Sequence, residues 1–276
     1  MSLRGIALVK KQFFSKSFCS TTIRYNVKPD GFRRFWKNTS VSNEDGKTVV
    51  KLDGRSLKTP NGKVLEIPTT MQPLAHLVAL EWDRLPTSSI RPHMLPVTSL
   101  FSRAMDVSEI ESEREKVFDQ VSKFIDTDTV LVYAPTEEYE GKLLKEQIKK
   151  WLPLKKAFEE KFDVQLNHLD GDCGLIACKQ SAETHNKIQK WLSSLNAWQL
   201  AAFERCVASS KSFILSALLL QGELSTEEVV ELTNLELCFQ TNKWGTLEDV
   251  HEMDHHDLRQ KVSSSALIFR FANTPN

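Results

Sequence analysis

Among 276 residues, the run with the most explicit chemistry is His251-Glu252-Met253-Asp254-His255. On a helix, histidines at i and i+4 share one face and can hold a zinc ion, with the intervening glutamate as general base. Glu252 is that candidate base. The context argues against it, because Asp254 puts a charge inside the motif and His256-Asp257 continue a polar surface. No later histidine or acidic residue stands at the third-ligand spacing of extended zinc-protease motifs. A helix starting at Thr246 would place the run on a solvated second turn. A zinc-dependent hydrolase is therefore the alternative reading, and no metal or other cofactor is expected.

Glu236 is the second candidate. Ser225-x-x-Glu228 forms a capping box that opens a helix whose stripe includes Leu232, Leu235 and Phe239, and Glu236 borders that stripe. A carboxylate beside an apolar face is either satisfied by a local partner or offered to another protein. Trp244-Gly245 closes this helix, with Gly245 expected as its left-handed terminal residue, and Thr246-x-x-Asp249 opens the next.

Other reaction classes leave no trace. There is no phosphate-cradling G-x-x-x-x-G-K-[ST] loop, no dinucleotide G-x-G-x-x-G and no G-x-S-x-G nucleophile elbow. Five cysteines, at positions 19, 173, 178, 206 and 238, fit neither a disulfide framework nor a paired-cysteine metal site, and read as free thiols. No basic block, aromatic RNA-binding motif or zinc-finger spacing points to nucleic acid. The longest apolar stretch, Phe213 to Leu220, is far short of the roughly 20 residues that span a membrane.

The elements that must position these residues begin at Asp53-Gly54 and Asn61-Gly62, two hairpin dipeptides eight residues apart. With Val50 and Leu52 before them and Leu65 and Ile67 after, they predict a three-stranded meander with one buried face. The preceding Phe32-Arg33-Arg34-Phe35-Trp36-Lys37 reads as a sheet edge with exposed arginines. Thr69 or Thr70 should cap a helix to about Leu85, with Leu74, Leu77, Val78 and Trp82 on one stripe and Trp82 sealing helix to sheet. A short helix should end near Asp106, and Ser108-Glu109-Ile110-Glu111 should cap the next, running to about Ile125. Thr129 to Val132 reads as strand-like. Five helices are then expected, over 142–162, 182–195, 197–221, 225–243 and 246–271, with Phe213 to Leu220 at the centre of a bundle.

This is an α+β chain: a small antiparallel-sheet domain with helices over 30–105, then an all-helical, orthogonal-bundle domain over 106–276, with the boundary between 100 and 135. Before Asp30 there is no acidic residue, while Arg4, Lys10, Lys11, Lys16, Arg24 and Lys28 are basic. That bias, with abundant serine, predicts a mitochondrial targeting peptide over residues 1–25. Those residues carry five of the 36 lysines and arginines, so a formally neutral chain becomes one of net charge −5 without them.

In order and spacing, these pieces resemble the mitochondrial chaperones of F1 ATP synthase assembly that act on the α subunit, the ATP12 family. The resemblance runs from about Arg34 to Ala272. It is carried by Leu52-Asp53-Gly54-Arg55 with Lys58-Thr59-Pro60, Glu81-Trp82-Asp83, Met94-Leu95-Pro96 with Asp106, Gln147 with Trp151-x-Pro153, Lys211-Ser212, and Leu235-Glu236-x-x-x-Gln240 with Trp244-Gly245. It implies a non-enzymatic, monomeric matrix protein that holds the free α subunit soluble until β subunits replace it, or an adaptor of the same fold with another client. It further implies client contact at Glu236 and Gln240, and structural roles for Asp53, Gly54, Arg55, Trp82, Trp244 and Gly245.

Overall fold

Asp45 and Gly46, with φ of 47° and 76°, turn the chain sharply between its two longest strands. The computed structural model describes residues 32–173, 179–245 and 248–273. The expected targeting peptide, Cys19, Cys178 and the Thr246 start signal lie outside them. Strand β1 (Phe32–Arg33) is followed by β2 (Thr39–Glu44) and β3 (Lys47–Leu52), paired antiparallel from Thr39 opposite Leu52 to Glu44 opposite Lys47. Paired positive φ at the two central residues is the geometry that matches strand twist in a two-residue hairpin. The β2 strand, Thr-Ser-Val-Ser-Asn-Glu, has one apolar residue and so gave no alternation to read.

Asp53 and Gly54 (φ 46° and 80°) repeat the turn and lead into β4 (Arg55–Ser56), as expected. The second dipeptide closes a smaller loop, in which Thr59 N donates to Lys63 O at 2.7 Å and Leu65 N to Leu57 O at 2.8 Å. Then β5 (Glu66–Pro68) returns to β3, placing Thr48 opposite Ile67. The expected meander is thus corrected to a four-stranded sheet, with β2 on one edge of β3 and β4 and β5 sharing the other. Val50, Leu52, Leu65 and Ile67 are all buried, as their spacing predicts.

The cover is α1 (Gln72–Asp83), with Leu74, Ala75, Val78, Ala79 and Trp82 buried. Neither Thr69 nor Thr70 caps it. Both belong to a tight 3-10 turn, Thr69–Met71, that feeds straight into the helix, where Pro73 needs no hydrogen-bond acceptor. Beyond it, β6 (Ser89–Ile90) pairs with β1. The basic-aromatic run at β1 is only partly an exposed edge. Arg34 donates to the carbonyls of Asp83 (2.5 Å) and Leu85 (3.1 Å), and Trp36 is buried against the Trp82 ring. This clasps the end of α1 to the start of the sheet.

Helix α2 (Pro96–Glu109) runs past Asp106, because Met105 and Val107 are still buried, and it absorbs Ser108. The expected capping box is therefore not formed: α3 (Glu111–Lys123) starts at Ile110 without a side-chain cap. Thr129–Leu131 is a 3-10 turn rather than a strand, held by the Asp128 carboxylate accepting from Val130 N at 2.9 Å. Of the Thr129 to Val132 run, Val132 makes a strand-like bridge, to Leu169.

Next come α4 (Lys142–Phe162), α5 (Ala182–Ser194), α6 (Ala197–Ser210), α7 (Phe213–Leu220), α8 (Thr226–Thr233), α9 (Leu235–Trp244) and α10 (Glu248–Ala272). Two expected long helices are each broken. Lys211 (φ 55°) and the Ser212 cap separate α6 from α7, and Asn234 separates α8 from α9. Every residue of α7 is buried, so it is the bundle centre the sequence predicts. Cys206 is a buried free thiol and Cys238 an exposed one. Among the described residues, no helix is long and apolar enough to cross a membrane.

Candidate functional site

Glu236 stands in the first turn of α9, where the helix dipole favours a carboxylate, and it is half-buried. Its Oε1 accepts a 2.8 Å hydrogen bond from Gln147 Nε2 on α4. The Gln147 side chain is fully buried, and its own Oε1 accepts from Ala134 N at 2.8 Å. These two bonds fix the orientation of the amide, which therefore presents a donor and not an acceptor to Glu236. Two residues 89 positions apart are locked together, and the loop leading into α4 is tied to both.

The carboxylate faces a cleft of about 240 Å³ between α4, α9 and the segments around Tyr133 and Leu169. Val132, Leu143, Leu169 and Pro135 supply apolar walls, and Glu138 and Gln240 contribute polar groups. Gly171 allows the walls to approach: a Cβ there would lie 2.5 Å from Pro135 N and 2.6 Å from Tyr133 O. Burial raises the Glu236 carboxyl above its usual range, the charge of Glu138 raises it further, and the Gln147 bond works against both.

Beside the cleft, Tyr139, Glu140 and Gly141 take φ of 50°, 58° and 72° in succession, a left-handed run that costs free energy at its two non-glycine residues. The Tyr139 ring meets Phe239 of α9 edge-on, at 5.8 Å between centroids. Lys243 Nζ lies 5.0 Å from the Tyr139 centroid and 5.4 Å from that of Trp244. Gln240 is exposed one turn beyond Glu236.

Trp244 is 77% exposed, so core packing does not account for its place in the motif. Gly245 has φ 86° and ψ 161°: positive φ as expected, but with an extended ψ rather than a left-handed helical one. That region is essentially restricted to glycine.

The other motif residues lie in the turn after β3 and on α1. Asp53 accepts from Asn38 N (2.9 Å) and Lys37 N (3.0 Å), and these backbone bonds lower its carboxyl pKa. Gly54 supplies the positive φ of the same turn and Arg55 is exposed. Trp82 Nε1 donates to Thr98 Oγ1 at 3.0 Å. Its neighbour Glu81 caps α2 from outside the helix, accepting from Val97 N at 2.7 Å and Thr98 N at 2.9 Å. Sequence reasoning missed this cap, since its donors lie 16 and 17 residues away. It also missed Gln147 as the partner of Glu236, although a glutamine one turn before Trp151 on an apolar helix face was a visible signal.

The zinc-like run lies on α10, where Glu252 is exposed and His255 half-buried, and the side chain of His251 is outside the described residues. Among the described residues, no group of three or more His, Cys, Asp or Glu side chains is arranged to hold a metal.

The sequence model of a family described as ATP12 chaperone protein matches residues 33–159. A Schizosaccharomyces pombe protein named "Protein atp12, mitochondrial" is 54% identical over 255 residues, covering 92% of this chain and 88% of that one. A Saccharomyces cerevisiae protein named "Protein ATP12, mitochondrial" is 34% identical over 269 residues, covering 85% and 83%. The crystal structure of Atp12 from Paracoccus denitrificans superposes with a TM-score of 0.72 at 23% identity, over 87% of this chain and 98% of that one. An Agrobacterium tumefaciens structure gives 0.73 at 24%, over 86% and 85%. At such identities the two structures speak for the fold.

Proposed function

The chain belongs to the ATP12 chaperone family, and from that premise we propose that it binds the free α subunit of the F1 ATP synthase in the mitochondrial matrix. It keeps that subunit soluble and yields it to β subunits during assembly. It works as a monomer, without catalysis and without nucleotide. An isolated subunit exposes an apolar interface that aggregates, and covering it needs only a surface of matching shape and charge.

The observation that supports a client surface at α9 is the Glu236 carboxylate itself. It is half-buried, oriented by Gln147 and open to an apolar cleft, and among the described residues it forms no ion pair. A protein that needed this group only for its own fold would gain by pairing or replacing it. Glu236 and Gln240, one turn apart on α9, make the client contact. Asp53, Gly54, Arg55 and Trp82 hold the sheet-containing part, and Trp244 and Gly245 set the end of α9.

The test is a pull-down from mitochondrial matrix containing unassembled α subunit, using the chain without residues 1–25 and no added ATP. Recovery of α without β is expected; Glu236→Lys should abolish it, and Glu236→Gln, which keeps an acceptor for Gln147, should weaken it with the circular dichroism and melting profile unchanged. Recovery of neither subunit refutes the reading, and recovery of a different protein in their place supports an adaptor with another client.

A further inference from the structure

We infer that the cleft between α4 and α9 is a socket for one basic side chain of the client, an arginine that enters between the Glu138 and Glu236 carboxylates. This rests on the chaperone reading for the identity of the client, but its chemistry is argued from the cleft alone.

Charge is the first consideration. Glu138, exposed, and Glu236, half-buried, line the same cleft, the charge of Glu138 raises the Glu236 carboxyl, and among the described residues neither has a salt bridge. Two lysines of the adjoining segments have partners of their own. Lys142 pairs with Glu140 at 2.7 Å, and Lys243 lies over the Tyr139 and Trp244 rings. Two carboxylates lining one cleft without a counter-charge are a cost that a bound cation removes.

Shape and donor chemistry narrow the occupant. The cleft, at about 240 Å³, falls below the roughly 300–1,000 Å³ of small-molecule sites, so it suits one side chain better than a metabolite. Its walls at Val132, Leu143 and Leu169 match an aliphatic stem, while its charges match the head. Gln147 occupies Glu236 Oε1, and Oε2 accepts nothing from the described residues. A planar guanidinium can serve that oxygen and Glu138 together, through donors pointing in different directions; a lysine ammonium is a compact point charge and fits the pair less well.

Two measurements test this. In the first, N-acetyl-arginine methylamide is titrated into the chain lacking residues 1–25, with the uncharged citrulline analogue as control. The reporter is the backbone amide resonance of Ala134, which is bonded to the Gln147 side chain. A saturable shift with arginine and none with citrulline is expected, and it should vanish in Glu138→Gln/Glu236→Gln. Equal responses to the two probes, or no response to either, overturn the socket.

The second compares capture of F1 α by the single variants Glu138→Gln and Glu236→Gln. Each should weaken it on the order of tenfold and flatten its salt dependence, as loss of one member of a charge pair does. Unchanged capture by both variants overturns the socket while leaving the chaperone reading intact. No capture by the wild-type chain, with the arginine response present, removes the named client and keeps the socket.

Discussion

Replacing Gln147 by methionine keeps the length of the side chain and removes both of its hydrogen bonds, so it isolates the contribution of the amide that joins α4 to α9. The Ala134 N–H, on a buried residue, loses its acceptor, and an unsatisfied buried donor costs about 1–3 kcal/mol. The Glu236 carboxylate loses its donor as well, but it faces an open cleft where water can replace that bond, so its share is small. A destabilisation of about 2 kcal/mol follows, which for a domain of this size lowers the melting temperature by roughly 4–8 °C. Urea unfolding followed by circular dichroism measures it, with Glu236→Gln as the comparison. That variant keeps an acceptor for Gln147 and removes a carboxylate whose ionised form is disfavoured in the fold, so its stability at neutral pH should match or exceed wild type. A loss below about 0.5 kcal/mol for Gln147→Met would refute the reasoning, because Ala134 would then have found another acceptor.

Asp128 gives a pH prediction. It is fully buried at the start of α7, accepting from Ser212 Oγ at 2.7 Å and Ile214 N at 2.9 Å, and burial raises its carboxyl from 3.8 to about 6 despite those bonds. Well below pH 3.8 it is protonated in both folded and unfolded chains and the shift costs nothing; well above pH 6 it is ionised in both, and the shift opposes folding by roughly 3 kcal/mol. Wild type should therefore lose stability relative to Asp128→Asn as pH rises from 4 to 7, and a constant difference across that range would contradict the assignment. Gly171→Ala drives a methyl group into the backbone of Tyr133 to Pro135, so it should destabilise by about 3 kcal/mol or more and shift the amide resonances of that segment; a stability within about 0.5 kcal/mol of wild type would show that the loop yields.

Much of the local structure was legible because its causes are local. Asp53-Gly54 forms its turn since those two residues tolerate positive φ wherever they stand, and the Ser225–Glu228 capping box forms from groups three residues apart. The span of α4 follows from its apolar period, and Phe213 to Leu220, apolar on every side, had to be buried. Two local signals misled for one reason. Ser108 reads as a cap and Thr129 to Val132 as a strand only if the neighbouring chain stops where propensity says, but burial of Val107 prolonged α2 and Asp128 drew the second segment into a 3-10 turn.

The sequence by itself determined the hairpin turn at Asp53-Gly54, the buried face of the four-stranded sheet, the central helix and, through its motifs, the family. Tertiary structure alone decided that Glu81 caps a helix it does not belong to, that β5 returns to β3, and that Gln147 fixes Glu236 at the mouth of a cleft. A hydrogen bond between residues 89 positions apart leaves no period or spacing in the chain, because the distance that sets its strength exists only once both helices have packed.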